Sequence, residues 1–311
     1  MQIENAIEIK NLTKTFNSGS KLKKALDNIS FNVEKGSFHG FIGNNGSGKT
    51  TTFRTLLGFY PDAKGEVLIN GISYKDEKSR KVIGYVPEVA IFPKNLTIRE
   101  YVYYFAELSG LNKVQANEKT DELLKKFGFD SKEFNKSATK LSSGQKKKIL
   151  LMQALVNDPE ILVLDEPAAN LDPSARIELY KELKELSKEG KTIFISSHIL
   201  LELEKYIDSF TILSNGKVTD SGTIKEKLLN NKYNKKIIFS ELNDLEKIEN
   251  IVKKYISSYQ FQDNQLFIFI ENQEILNEFI LELTKEKIYF DQIINNKMTL
   301  NEMYFSSKDS E

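Results

Sequence analysis

The sequence predicts an α/β fold: a mostly parallel sheet covered by helices, with a smaller α+β unit after it in the chain. Three observations carry that expectation. Ile161–Leu164 is an unbroken apolar run, the text of a strand buried on both faces of a parallel sheet. Ser174–Lys188 reads as a helix stopped by Gly190 and leads to a second buried run, Thr192–Ile195, so strand, helix and strand alternate. A glycine-rich loop, Gly43–Thr50, joins the buried text of Gly36–Ile42 to a helix expected over Thr51–Leu57 and ended by Gly58.

Ahead of that loop, Ile7–Leu12 and Ala25–Val33 read as strands. Behind it, Glu66–Ile69 alternates as a short strand, and Asn70-Gly71 is a hairpin-type turn signal. From Thr97 the apolar spacing lengthens to three- and four-residue steps, which predicts helices over Ile98–Leu108 and Lys113–Phe127. Near Gly222 the character changes. Lys225–Lys236 is charged and Asn-rich, and a linker is expected at 228–234. Beyond it, strands are expected at Lys236–Phe239, Tyr259–Gln262, Leu266–Ile270 and Tyr289–Ile294, with a hairpin turn at Asp263-Asn264. Helices are expected at Asp244–Tyr255 and Gln273–Glu286.

Composition narrows the function classes. At ~150 residues per domain, 311 residues predict two domains. Lys plus Arg and Asp plus Glu both number 44, a balance that argues against a bulk nucleic-acid binder. Residues 231–311 hold ten Lys against fourteen Asp or Glu, so the tail is a poor nucleic-acid surface. The chain has no cysteine, which removes disulfides, thiolate metal sites and cysteine nucleophiles together. His39 and His198 are its only histidines, too few for a multi-histidine zinc site. Met1-Gln2-Ile3-Glu4 shows no signal-peptide pattern, and apolar stretches such as Ile149–Met152 fall short of the ~18–20 residues that span a bilayer. The chain is expected to be soluble and cytosolic unless a partner recruits it to a membrane.

Gly43, Asn44, Asn45, Gly46, Ser47, Gly48, Lys49 and Thr50 fit the phosphate-binding pattern G-x-x-x-x-G-K-[ST] without a mismatch. Glycines let backbone N–H groups close around phosphate oxygens where side chains would collide, and the helix opening at Thr51 adds its positive end. Lys49 is expected to neutralise the β- and γ-phosphates and the Thr50 hydroxyl to ligate Mg²⁺. Asp165 and Glu166 follow a buried strand at its C-terminal edge, where such sheets bind ligands. There Asp165 can hold Mg²⁺ through a water, and Glu166 can polarise an attacking water.

Leu141-Ser142-Ser143-Gly144-Gln145 begins twenty residues before Ile161 and resembles the LSGGQ signature of ABC ATPases. To about Gly222 the chain resembles the ATP-binding subunit of an ABC transporter, with features in family order. Tyr85-Val86-Pro87-Glu88 resembles the Q-loop, Asn170-Leu171-Asp172 the D-loop, and Ser196-Ser197-His198 the switch-histidine loop. Phe16 stands where the family stacks an aromatic ring on adenine. The sequence departs at Ser143, for the first signature glycine; at Asn44, often proline in the family; and at Glu88, glutamine in the family.

The resemblance implies a P-loop NTPase fold of ABC ATPase type over 1–227, with a helical subdomain at about 89–150 and an α+β accessory domain at 235–311. It implies ATP and Mg²⁺ as ligands. Glu166, His198 and Lys49 would be catalytic, and Thr50, Glu88 and Asp165 would hold the metal. Nucleotide would contact Phe16, Gly43–Thr51, Glu88, Ser142, Ser143, Gly144, Gln145 and Asp172. Because the family closes each ATP between the P-loop of one chain and the signature of another, the implied partners are a second ABC ATPase chain and a separate transmembrane permease. Nucleic acid is not among them. The protein would then sit on the inner face of the cell membrane through the permease.

The tail resembles the C-terminal extension of bacterial drug, peptide or lantibiotic exporter ATPases, closing in Thr299–Phe305. A gated signalling module or a non-transport ABC protein is the alternative. Three features invite plainer readings. His39 is expected as a packed core residue. Lys146-Lys147-Lys148 is expected as a solvated helix face. Tyr101, Tyr103, Tyr104 and Phe105 are expected mainly as helical-subdomain core, their exposed part facing the permease.

Overall fold

Apolar strands need cover, and in the first part of the chain two sheets provide it for each other. The structure is a computed structural model that describes residues 4–18, 21–89, 91–198, 200–229, 233–240 and 244–296. It divides the chain into two compact units, Met1–Ile224 and Lys225–Glu311. In the first unit, β1 (Asn5–Ser18), β2 (Lys21–Glu34) and β3 (Phe38–Ile42) lead to α1 (Lys49–Leu56), followed by β4 (Lys64–Ile69), β5 (Ile72–Ser73), α2 (Glu77–Arg80) and β6 (Ile83–Val86). The helices α3 (Ile98–Leu108), α4 (Lys113–Lys126) and α5 (Ser143–Leu155) precede β7 (Ile161–Leu164), α6 (Pro173–Lys188) and β8 (Thr192–Ser197). Then come α7 (Leu200–Leu203), β9 (Ser209–Ser214) and β10 (Lys217–Thr223).

One sheet is antiparallel, in the order β2-β1-β4-β5. The β1–β2 register slips between Ile9 and Leu12, where Asn11 takes a φ of 54°, a conformation asparagine tolerates. The other sheet runs β10-β9-β3-β8-β7-β6 and is parallel from β9 to β6. Ile7, Ile9, Val33, Phe41, Phe53, Val163 and Phe194 are buried together between the sheets and α1. The Phe53 and Phe194 rings meet edge-on with centroids 4.8 Å apart. Burying one such side chain contributes roughly 2 kcal/mol.

Register decides where chemistry can collect. Ile42 lies opposite Ser197, Leu164 opposite Ile195, and Val86 opposite Leu164. The segments leaving β3, β7, β8 and β6 therefore emerge at one edge, carrying Gly43, Asp165-Glu166, His198 and Glu88. The helices α3, α4 and α5 fill the interval between Glu88 and β7. Each opens with a capping box, Thr97 with Glu100, Asn112 with Gln115, and Ser142 with Gln145. No helix among the described residues is long and apolar enough to cross a membrane.

Two differences from the sequence reading bear on the site. Helix α1 starts at Lys49 rather than Thr51, which puts Lys49 and Thr50 in its first turn. The hairpin of β9 and β10 was not expected; it turns at Asn215 and Gly216, with φ of 47° and 78°, as a two-residue type I′ turn requires.

The second unit is built from β11 (Lys235–Ile238), α9 (Leu245–Tyr255), β12 (Tyr259–Gln262), β13 (Gln265–Ile268), α10 (Gln273–Lys285) and β14 (Gln292–Asn295). Its sheet, β12-β13-β11-β14, is antiparallel throughout. Ile237, Leu266 and Ile268 pack with Val252, Phe279 and Leu283 from the two helices. A further helix, α8 (Ile224–Leu229), runs into the stretch expected as a linker. The closing segment Thr299–Phe305 lies outside the described residues.

Candidate nucleotide-binding site

The loop between β3 and α1 is shaped by what it rests on. A Cβ at Gly43 would stand 2.3 Å from the Leu213 carbonyl oxygen, and one at Gly48, whose φ is 117°, 2.7 Å from that of Ala25. Only glycine fits either place. The turn of the β9–β10 hairpin props the loop, since the Gly216 N–H donates to the Ser47 carbonyl at 2.9 Å. On the other side the Gly43 N–H donates to the Ser197 carbonyl at 3.2 Å. The loop is thus anchored on both sides by backbone hydrogen bonds.

Lys49 is buried, and its Nζ donates to the carbonyls of Gly43 at 2.6 Å and Asn44 at 3.2 Å. The same ammonium lies 3.0 Å from Glu166 Oε1, and Glu166 Oε2 lies 2.7 Å from His198 Nδ1. Glu166 holds a left-handed backbone, φ 44°. Its N–H donates to Ser196 Oγ at 2.9 Å, and that hydroxyl donates to Asp165 Oδ1 at 2.9 Å. Asp165 is 2% exposed, behind Glu166 rather than on the cleft wall.

Phe16, Gly46, Lys49, Thr50, Glu88, Glu166 and His198 line one cleft of about 700 Å³. Asn45, Gly48 and Thr51 are also on its wall. Phe16 sits at one side, its ring edge-on to Tyr60 with centroids 5.2 Å apart. Lys14 Nζ lies 4.9 and 4.8 Å from these two rings and pairs with Asp62 at 2.6 Å. The cleft thus runs from the Phe16 ring, past the glycine-rich loop, to a carboxylate flanked by a lysine and a histidine. Thr50 and Glu88 bring a hydroxyl and a carboxylate to the cleft wall, with the Asp165 carboxylate buried behind, and such oxygen donors suit a hard cation such as Mg²⁺. Among the described residues no three carboxylates or histidines converge, so phosphate oxygens and waters would complete such a site.

The remaining expected residues lie elsewhere. Ser142, Ser143, Gly144, Gln145 and Asp172 do not line this cleft. Ser142 caps α5, its Oγ accepting the Gln145 N–H at 3.2 Å. Asp172 caps α6, accepting from the Ala175 N–H at 2.9 Å and the Ser174 hydroxyl at 2.6 Å; those bonds hold its carboxyl below the usual range.

One reading is overturned. The Lys146–Lys148 run is not simply a solvated face: Lys147 is 6% exposed, and its Nζ donates to the carbonyls of Pro87, at 3.1 Å, and Glu88. Burial pushes its ammonium down to about 8. Lys148 is half-buried, paired with Glu178 at 2.8 Å and Glu182 at 3.3 Å. Helical period held the signal, because Lys147 shares a face with Leu150, Leu151 and Ala154.

Sequence reasoning also missed Lys23, Lys24, Ala25, Ala169, Asn215 and Gly216 on the cleft wall. Asn215-Gly216, the commonest short hairpin signal, was available in the text. His39 is 1% exposed, bonded through Nδ1 to Ser209 Oγ at 2.8 Å and through Nε2 to Thr211 Oγ1 at 3.0 Å. Tyr101 is buried beside Phe92 and Phe105, whereas Tyr104 is 45% exposed.

A phosphate-cradling loop at the carboxyl edge of a parallel sheet, its lysine facing a strand-end carboxylate, defines a P-loop NTPase. Comparison with known proteins narrows the class. Residues 26–169 match the family described as ABC transporter. A putative ABC transporter ATP-binding protein of Mycoplasma pneumoniae is 45% identical over 226 residues, 72% of this chain and 69% of that protein. The bacitracin transport ATP-binding protein BcrA of Bacillus licheniformis is 33% identical over 284 residues, covering 89% of each chain. Among solved structures, the dimeric post-hydrolysis state of the ATP-binding cassette MJ0796 bound to ADP and Pi is 26% identical. It aligns at a TM-score of 0.62 over 70% of this chain and 98% of that one. The chain belongs to the ABC transporter family, as an ATP-binding subunit with ATPase activity.

Proposed function

We propose that this subunit hydrolyses ATP as a Mg²⁺ complex between two paired ATPase chains and so drives export through a separate transmembrane permease. The observation that carries the reading is Glu166, held between Lys49 and His198 at the mouth of the phosphate loop. Phosphate oxygens would replace the Gly43 and Asn44 carbonyls as partners of Lys49, which loosens its hold on Glu166. The freed carboxylate accepts a proton from the attacking water. The water oxygen bonds to the γ-phosphorus, the bond from that phosphorus to the bridging oxygen breaks, and ADP and phosphate leave. His198, hydrogen-bonded to Glu166, faces the developing charge and can donate to it. Mg²⁺, bound by Thr50, Glu88 and, through water, Asp165, would neutralise charge on the phosphates.

Pairing is supported by the placement of the signature. Ser142–Gln145 opens α5 away from the cleft, so its helix N-terminus serves a nucleotide on another chain. Export is read from the second unit. The BcrA match covers 89% of this chain, more than the first unit's 224 residues can hold. The permease would bring the protein to the inner membrane face.

Glu166→Gln tests the central role. Phosphate release should fall by about 10²-fold or more, while light scattering should find a dimer in Mg-ATP and a monomer without it. Wild-type turnover in the variant would remove Glu166 as the base. ATP binding with no turnover in the native protein would favour the gated-module alternative, toward which the extra carboxylate of Glu88 in the cleft points.

A further inference from the structure

We propose that Ser196, outside the cleft wall and outside the phosphate loop, is the positioning residue that sets both strand-end carboxylates for hydrolysis. The inference rests on the reading of Glu166 as the base. Ser196 is fully buried in β8, one position beyond Ile195, which pairs with Leu164 at the end of β7. That register brings its hydroxyl against the first two residues after β7. A hydroxyl has one proton to give and lone pairs to receive, and Ser196 uses both functions. Its oxygen accepts the Glu166 N–H at 2.9 Å, and its proton goes to Asp165 Oδ1 at 2.9 Å.

The backbone of Glu166 is where this matters most. Its φ of 44° is a conformation that a residue with a long side chain keeps only where surroundings impose it. The N–H bond to Ser196 anchors that turn from inside. With the turn anchored, the side chain emerges between Lys49 and His198, 3.0 and 2.7 Å from its two oxygens. The second bond fixes the rotation of the Asp165 carboxylate. Alanine would orphan the amide and one carboxylate oxygen in a buried place, and the strained turn would relax. Phe16, the phosphate loop and the hydrogen bonds of Lys49 to Gly43 and Asn44 keep their own anchors, and Asp165 would reach Mg²⁺ only through water, so the larger loss falls on turnover rather than affinity.

The experiment compares wild type, Ser196→Ala, Ser196→Thr, Ser196→Cys and Glu166→Gln in purified full-length protein. It reads kcat and KM for Mg-ATP, the melting temperature, and dimer formation in Mg-ATP. In Ser196→Ala, kcat should fall about 10–100-fold, the range for residues that orient a functional group from behind. KM should stay within about twofold and ATP-bound dimer should accumulate, because the step that slows follows nucleotide binding. Ser196→Thr keeps the hydroxyl and should recover most of the turnover. If Ser196→Ala does not fold, Ser196→Cys, near in volume but a weak donor, carries the same expectation. Turnover within about twofold of wild type in a folded Ser196→Ala or Ser196→Cys protein would overturn the proposal, provided Glu166→Gln is inactive. So would a loss shared equally by KM and melting temperature and not restored by threonine. An active Glu166→Gln would instead defeat the assignment of the base.

Discussion

His39 allows a prediction whose size follows from its surroundings. The ring is buried between Phe31, with centroids 6.1 Å apart, and Phe194, at 5.6 Å, and both nitrogens face neutral hydroxyls. With only hydroxyls on its two nitrogens, an imidazolium there would be a desolvated charge, and burial pulls its pKa from 6.5 down to about 3. The unfolded chain therefore takes up the proton first. Stability is fully present above pH 6.5 and is lost as pH falls from there toward 3. At 1.36 kcal/mol per unit, the fall from pH 7 to pH 5 costs about 2 kcal/mol through this one group. For a unit of this size that is roughly 4–8 °C in melting temperature. The assay is calorimetry of wild type and His39→Gln at pH 7, 6 and 5. Each protein also loses stability through its carboxylates, but wild type should lose about 2 kcal/mol more. Parallel profiles would refute the reasoning and mean that His39 is either protonated in the fold or hydrated.

Three other perturbations have defined outcomes. Phe16→Ala should weaken ATP by the ~1–3 kcal/mol of a base–aromatic stack while leaving inorganic triphosphate unchanged in titration calorimetry; equal losses would remove the adenine platform. Lys147→Met removes the donor shared by the Pro87 and Glu88 carbonyls, so deuterium uptake over residues 86–89 should rise about tenfold or more, with Lys147→Arg closer to wild type; unchanged uptake would make the lysine a bystander. Val89, Ile91 and Leu108 are exposed at 62%, 81% and 81%. Leu108→Cys places a lone thiol in a cysteine-free chain, and on native membranes it should be shielded from maleimide relative to the free protein; equal labelling would move the permease contact elsewhere.

Legibility followed the range of the interactions involved. The run Gly43–Thr50 and the strand Ile161–Leu164 were readable because spacing and apolarity are local properties. Helix α3 begins and ends where its period and its Thr97 cap place it. The β9–β10 hairpin escaped although Asn215-Gly216 marks its turn, because Val218 is the one apolar side chain of β10 and no alternation shows there. Lys147 was misjudged because three consecutive charges outweighed the helical period that buries the middle one. Ser196 stood inside a recognised loop motif, yet nothing in the text says that its hydroxyl reaches two residues of another strand. Contacts of that kind depend on strand order, which pairs β8 with β3 and β7 only after folding.

The prop beneath the phosphate loop bears on when this protein becomes competent during its own synthesis. The loop and its lysine are made early, but β3 is walled by β8 and β9, and the Phe38 N–H finds its partner, Asp208, 170 residues later. At ~5–20 residues per second, a ribosome takes roughly 10–35 s to cover that distance. The carbonyl of Ser197 that anchors Gly43 emerges first, and until Gly216 follows the loop still lacks the N–H donor to the Ser47 carbonyl. A nascent chain in that interval carries the complete phosphate-binding text without the site. The native frame of the loop is therefore completed late in synthesis, with the hairpin that closes the sheet.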